Sequence, residues 1–178
     1  MTRTVYYVGA SLDGFIATAD HSLDWLVSRG TDEHGPMGYA GLLAGVGAIA
    51  MGAVTWGWCA RTTRTGCPSA RRGCSPTGSW SCRPARTSGR PPDDPAQGHA
   101  EMVAAAGGRD LFLVGGGDLV GQFADRGLLD EVVVALAPVT LGSGAPLLPR
   151  RVELEVAECA RNGEFVCVRY RVVRPAAG

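Results

Sequence analysis

Three consecutive glycines form the motif in this sequence that is best suited to bind a ligand. Val114-Gly-Gly-Gly117 follows an apolar run and precedes a segment with Leu119, Val120 and Phe123 on one helical face. Glycine lets the backbone approach a ligand closely, and the free N–H groups of a helix N-terminus suit a phosphate. The alternative is a tight strand-to-helix turn without a ligand, and the glycines by themselves leave both interpretations open.

A second glycine turn has the same sequence context. Met51-Gly-Ala-Val-Thr55 again runs from a strand through a glycine into the start of a helix, and the Thr55 hydroxyl is able to donate to phosphate. Open α/β sheets bind ligands in a crevice at the carboxyl ends of parallel strands. Two such corners predict that the pyrophosphate of a dinucleotide lies between them.

Two carboxylates are candidates for the chemistry itself. Asp24 adjoins Trp25, and a carboxyl group beside an indole in a cleft has a raised pKa, as a proton donor needs; the alternative is a solvated helix residue. Asp13, in Ser11-Leu-Asp-Gly14, either orients a substrate or closes an Asx turn. Trp25 is either a wall of the substrate pocket or a core residue. The histidines are scattered, so no metal site is predicted.

Strands and helices alternate along the elements that must position these residues. Strands are predicted at 4–8, 47–51, 110–114 and 130–138, helices at 22–29, 38–44, 97–106 and 118–126, and a final hairpin at 151–159 and 164–173. Asn162-Gly163 provides the hairpin turn. This order predicts one α/β domain over 1–178, with a mostly parallel sheet and helices on both faces.

Composition excludes several classes of protein. The 17 basic and 17 acidic residues balance, which excludes a uniformly basic nucleic-acid-binding protein. No apolar run approaches the roughly 20 residues of a membrane span, and the N-terminus does not resemble a signal peptide. We therefore expect a cytoplasmic protein whose partner is a small molecule, with no membrane association.

The span 57–92 differs from the rest of the chain. Its 36 residues are of only eight types, all encodable with G or C as the middle base, and they include seven Arg and four Cys but no Leu, Ile, Val, Met or Phe and no acid. In a gene rich in G and C, reading one base out of frame produces this composition, so we interpret the span as a local frame slip. An Arg-rich and Cys-rich interaction segment is the alternative, although the cysteine spacing lacks the short pairs of zinc modules.

Five segments together resemble the dihydrofolate reductase superfamily, most closely the branch built like the reductase domain of riboflavin biosynthesis. They are Ser11-Leu-Asp-Gly14, Leu23-Asp-Trp25, Met51-Gly52 with Thr55-Trp56, Val114-Gly-Gly-Gly117, and Asp130-Glu131 through Ala137-Pro-Val-Thr-Leu-Gly142. The resemblance covers about residues 3–56 and 94–173. It implies a three-layer α/β/α domain with a mostly parallel central sheet, a C-terminal antiparallel hairpin, and NADPH along the carboxyl ends of the strands.

The resemblance also implies roles for individual residues. The residues assigned to the cofactor are Ala10, Gly52, Thr55, Val114, Gly115, Gly116, Gly117, Asp118 and Leu119, with the strand and turn at 8–14 beside the nicotinamide. Asp24 and Asp13 are the catalytic candidates, and Trp25 is the substrate-binding one. Many relatives carry Arg where this chain has Ala53, which departs from the pattern for the 2′-phosphate. Relatives often pair as dimers, so a homodimer is expected.

The function implied is an NADPH-dependent oxidoreductase that transfers hydride to a small heterocyclic, carbonyl or imine substrate. The alternative is a catalytically impaired nucleotide-binding relative of the same fold, and the unusual span at 57–92 favours that alternative. A third hypothesis, an Arg/Cys-rich interaction protein, predicts nucleic-acid binding that weakens with salt.

Overall fold

A computed structural model describes residues 2–52, 54–55 and 95–174 of the chain. The frame-slip hypothesis for 57–92 and the departure at Ala53 fall outside the described residues. The strands are β1 (Thr4–Ser11), β2 (Phe15–Ala17), β3 (Val46–Met51), β4 (Asp110–Gly115), β5 (Glu131–Ala137), β6 (Ala145–Pro146), β7 (Leu154–Asn162) and β8 (Phe165–Val172). The helices are α1 (Asp24–Val27), α2 (Tyr39–Gly45), α3 (Pro95–Ala106) and α4 (Gly117–Ala124).

Six strands form the central sheet in the order β3-β4-β1-β5-β8-β7. The first four are parallel, whereas β8 and β7 run antiparallel as a hairpin at one edge. The predicted α/β class, with its mostly parallel sheet and terminal hairpin, is therefore confirmed. β2 and β6 form a separate two-stranded antiparallel sheet that the sequence did not predict.

Alternate side chains of β1 point to two different cores. Tyr6 is fully buried among Leu113, Val120 and Phe123, on the face covered by α3 and α4. Tyr7 packs edge-to-face against Phe112, and at a tilt against Tyr39, on the opposite face, where α1 and α2 lie. A strand that is apolar on both faces is typical of a parallel sheet covered by helices on both sides, and the three-layer arrangement is confirmed.

Two local predictions differ from the structure. The helix predicted at 22–29 is one turn, Asp24–Val27. Asn162 ends β7 instead of forming the turn, because its buried side-chain amide donates to the Asp32 and Pro36 carbonyls at 2.9 and 3.1 Å and its oxygen accepts from the Asp32 N–H at 2.9 Å. The hairpin turn is formed by Gly163 and Glu164, with Gly163 at φ +60°.

Candidate functional site

The carboxyl end of β1 has a partner on only one side. β1 pairs with β5 as far as Ser11, but its register with β4 ends at Tyr6 opposite Leu113. The residues of β1 after Tyr6 therefore lie beside a split between β1 and β4, where parallel sheets offer a crevice for ligands. The candidate site is built around this split.

The two glycine corners predicted from the sequence are in direct contact at the edge of this split. The Gly52 N–H donates to the Gly115 carbonyl at 2.7 Å. A Cβ placed on Gly52 would lie 3.5 Å from the Gly116 nitrogen, which is ordinary contact distance. The backbone of both corners thus forms one continuous surface, with no side chain at Gly52, Gly115 or Gly116 to cover it.

Each glycine of the triplet meets a different requirement. Gly115 has φ +118°, a conformation that residues with a Cβ rarely adopt, and its bond to Gly116 is cis. Gly117 lies against the backbone of residues 146 and 147, because a Cβ there would lie 2.5 Å from the carbonyl oxygens of Pro146 and Leu147. Gly116 has open space around its Cβ position. Of the three, Gly116 is the one whose small size leaves room for a ligand.

Helix α4 begins at this open position. Gly116 is its N-cap, with φ −72° and ψ 174°, and no side chain caps the helix. The N–H groups of the first turn and the positive end of the helix dipole therefore face the corner without a built-in acceptor from a cap residue. Such a helix start is suited to receive an anion from outside the chain.

Asp118 adds a negative charge to the same first turn. Its carboxylate is exposed and pairs with the Arg150 guanidinium at 3.1 Å, and Arg150 also reaches Asp125 at 3.0 Å. Arg150 thereby lies along α4 and partly neutralises Asp118. Whether Asp118 contacts a cofactor, as the resemblance implies, stays a prediction.

The other residues assigned to the cofactor lie close to the split, and their roles stay predictions. Ala10 is fully buried. Val114 packs against Met51, and Leu119 packs against the core beneath α4. Thr55 lies in a helical turn shortly after Gly52 and is half-buried.

The loop 138–148 forms one wall of the corner. The Tyr6 hydroxyl donates to the Leu147 carbonyl at 3.1 Å, and the Leu147 N–H donates to the Gly14 carbonyl at 2.9 Å. Burial raises the pKa of Tyr6, so this hydroxyl keeps its proton. On the side of the loop these contacts use main-chain atoms, which have no sequence signature. Only the need for a glycine at 117 reflects them in the sequence.

Asp13 joins the turn after β1 to this loop. Its carboxylate accepts from the Ser11 hydroxyl at 2.6 Å and from the N–H groups of Leu141 and Gly142 at 3.0 and 2.7 Å. The Ser11 hydroxyl, with these amides, lowers the pKa of Asp13 to about 2. Asp13 is therefore ionised at neutral pH, which favours a structural role over proton donation. Its catalytic role stays a prediction.

Asp24 and Trp25 lie on the other face of the sheet from α4. Asp24 is exposed on the single turn of α1. Trp25 packs against Phe165 and Cys167, and its Nε1 atom is buried with no hydrogen-bond partner among the described residues. Leu26 contacts the position where Gly9 lacks a side chain. This geometry favours the core interpretation of Trp25, and the roles of Asp24 and Trp25 in catalysis stay predictions.

The histidines do not form a cluster. His99 hydrogen-bonds to the Thr4 hydroxyl at 3.0 Å and packs edge-to-face against Phe123, and burial lowers the pKa of His99. Within 2–52, 54–55 and 95–174, no three His, Cys, Asp or Glu side chains are grouped so as to hold a metal ion. In the same residues, no helix has the length and apolar character needed to cross a bilayer.

Comparisons with known proteins agree with this architecture. The RibD C-terminal domain family matches residues 100–168. The uncharacterised protein YwjB of Bacillus subtilis (strain 168) is 27% identical over 183 residues, which cover 94% of this chain and 97% of YwjB.

Two solved structures show the same fold at low sequence identity. A Shewanella sp. PV-4 protein named for riboflavin biosynthesis aligns with a TM-score of 0.72 and 21% identity, over 97% of this chain and all 100% of the other. The riboflavin biosynthesis reductase Rib7 of Saccharomyces cerevisiae aligns with a TM-score of 0.58 and 12% identity, over 97% and 89%. The resemblance predicted from the sequence is thereby confirmed: residues 100–168 match the RibD C-terminal domain family, and the chain has the same fold as these two proteins.

Proposed function

We propose that this protein is an NADPH-dependent oxidoreductase that transfers hydride to a small heterocyclic, carbonyl or imine substrate. The observation that carries the proposal is the contact between the two corners, in which Gly52 donates to Gly115 directly beside the uncapped start of α4. A pyrophosphate needs N–H donors and no side chain in its way, and this surface provides both. Rib7, which has the same fold, is a riboflavin biosynthesis reductase.

The residues of the chain would divide the binding of NADPH between them. The N–H groups at the start of α4 and the Thr55 hydroxyl would hold the phosphates, and the backbone of β1 beyond Tyr6 would border the nicotinamide. When bound, the reduced nicotinamide supplies the hydride. The chain's own task is to hold both reactants in the split between β1 and β4.

Titration with NADPH, followed by its fluorescence and compared with NADH, tests the proposal. The decisive variant is Gly116→Asp. An Asp at an N-cap with this extended backbone stabilises a helix relative to Gly by a few tenths of a kcal/mol, or about 0.3. The same carboxylate would repel the phosphates. We therefore expect unchanged or slightly higher stability and an affinity for NADPH lower by at least tenfold, or about 1.4 kcal/mol.

Gly41→Asp is the matched control, because Gly41 lies in the first turn of α2 and its Cβ position is open. It adds the same charge to another helix start and should leave NADPH affinity unchanged. A folded Gly116→Asp variant that binds NADPH as the natural sequence does would contradict the proposed site.

A second candidate function is nucleotide binding without turnover. The ionised state of Asp13 and the exposure of Asp24 favour it, since neither carboxylate is held as a proton donor in the crevice. Loss of NADPH absorbance with a panel of small heterocyclic imines and carbonyl compounds separates the two functions. Saturable binding with no oxidation of NADPH by any of them would support this second function.

We also propose that the protein forms a homodimer through the hairpin. Leu154, Val156 and Val166 point to the same face of β7 and β8, and Val156 is 62% exposed. They lie beside an apolar cavity of about 240 Å³ lined by Val134, Leu148 and Tyr170. Light scattering should show a dimer that Val156→Lys dissociates, whereas Val27→Lys, at an exposed valine on α1, should not.

A further inference from the structure

We infer that Asp13 is a positioning residue, whose carboxylate fixes the loop 138–148 as a wall of the cofactor crevice. The inference rests on the proposed function, because it assigns a role at the NADPH site. It also accounts for a carboxylate at this end of β1 whose two oxygens both accept from backbone N–H groups of the loop.

The carboxylate of Asp13 bonds two segments that are far apart in the sequence. Both of its oxygens accept from the loop: the Leu141 N–H lies 3.0 Å from Oδ1 and the Gly142 N–H lies 2.7 Å from Oδ2. Oδ1 also accepts from the Ser11 hydroxyl, whose oxygen in turn accepts from the Phe15 N–H. One carboxylate thus ties the turn after β1 to the loop after β5.

The same loop reaches the glycine corner at its other end. After Gly142 the chain forms β6, which pairs with β2, and Gly144 lies so close to the Ala17 carbonyl that only a glycine fits. Leu147 then donates to Gly14, and its own carbonyl contacts Gly117 at the start of α4. A shift of the loop near Asp13 is therefore transmitted to the wall of the phosphate corner.

A comparison with Asp20 separates this role from ordinary turn chemistry. Asp20 also accepts from a neighbouring hydroxyl, that of Thr18, and its pKa is also lowered mainly by that bond. Its bonds stay within residues 18–22. Asp13 has the same local bond, and in addition it has the bonds to residues 141 and 142. Charge-assisted bonds to backbone N–H groups are stronger than neutral ones, so Asp13 holds the turn after β1 and the loop 138–148 together.

The test compares Asp13→Asn with Asp20→Asn in the full chain. Asn keeps one oxygen but replaces the other with an N–H₂ group that cannot accept from Gly142. We expect Asp13→Asn to speed hydrogen exchange at the amides of residues 141 and 142 at least tenfold. NADPH affinity should fall by three- to tenfold, and exchange in β1 and β5 should not change. Asp20→Asn should alter neither quantity.

The outcomes distinguish this inference from the proposed function. If the natural protein and Asp20→Asn do not bind NADPH, the proposed function fails. If both bind and Asp13→Asn binds equally well despite faster exchange at 141 and 142, the positioning role is wrong. Should Asp13→Asn not fold, exchange in the natural protein decides: amides at 141 and 142 that exchange at the rate of a free peptide would overturn the inference.

Discussion

The amino and carboxyl ends of the parallel strands carry different kinds of polar group. At the amino end, Glu131 is 8% exposed and pairs with Arg3 at 2.9 Å and Arg169 at 3.2 Å, while Arg3 also binds Asp110 at 2.6 Å. Arg174 and Asp130 extend this charged network. At the carboxyl end, the corners at Gly52 and Gly115 to Gly117 present backbone atoms with no charged side chain of their own.

The difference shows which end of the parallel strands is free to bind a ligand. Charged side chains that pair with one another hold β1, β4 and β5 in register, and their guanidinium groups bond to carboxylates of the chain itself. The opposite end carries N–H donors and small residues, and it depends on the loop 138–148 for its shape. Four predictions test this contrast.

The largest effect is expected from Glu131→Ala at the amino end. The substitution leaves Arg3 and Arg169 without their shared partner, and bonds to charged groups contribute about 1.5–3 kcal/mol. We expect the free energy of unfolding in urea to fall by roughly 2–3 kcal/mol, with no change in NADPH affinity of the folded protein. Glu153→Ala, which breaks the exposed pair with Arg151, is the control. It should lower the free energy of unfolding by less than about 0.5 kcal/mol.

A smaller loss of stability, combined with a loss of binding, is expected from Gly117→Ala. The added methyl group would lie 2.5 Å from two main-chain carbonyls, so the loop must move. Overpacking of this kind costs about 1–3 kcal/mol. Gly116→Ala, which meets open space, should change stability by less than about 0.5 kcal/mol. Equal stabilities of these two variants would show that the loop does not press on the corner.

Acid should selectively remove the contribution that Asp13 makes to the free energy of unfolding. Its pKa is about 2 in the folded protein against an ordinary value of 3.8, so its stabilisation is complete above the ordinary value and is lost as the pH falls towards 2. The difference in unfolding free energy between the natural protein and Asp13→Asn should stay constant from pH 7 to 5 and shrink below pH 4. A difference that grows on acidification would contradict the bonds described for this carboxylate.

The smallest effect is expected from Asp118→Asn. Removing an exposed negative charge beside the proposed phosphate site should tighten NADPH binding about twofold at low salt, and about 1 M salt should abolish the gain because screening then acts within about 3 Å. Asp125→Asn removes the other partner of Arg150 at the far end of α4 and should leave affinity unchanged. Equal gains from both variants would mean that net charge, not position, is responsible.

The fold was largely predictable because its signals are local. Apolar runs such as 110–114 and 130–138 predict buried parallel strands, and the structure has strands at Asp110–Gly115 and Glu131–Ala137. The two glycine corners could be paired from the sequence as well, because the carboxyl ends of parallel strands meet at one edge. Their contact through Gly52 and Gly115 confirms that placement.

The site was less predictable because its contacts join distant segments through main-chain atoms. The partners of Asp13 are amides 128 and 129 residues away, and a peptide N–H has no sequence signature. The sequence assigns Gly117 to the cofactor, and the structure adds a contact that the sequence does not reveal, because the missing side chain makes space for the carbonyls of Pro146 and Leu147. Adjacency in the sequence suggests that Asp24 and Trp25 act together, whereas in the structure Asp24 is exposed and Trp25 packs against the core.

The position of β1 has a consequence for biosynthesis. β1 is synthesised before its sheet neighbours β4 and β5, which begin only at Asp110 and Glu131. Translation at about 5–20 residues per second leaves this apolar strand without partners for about 5 to 20 seconds. The nascent chain therefore exposes an apolar segment throughout that interval.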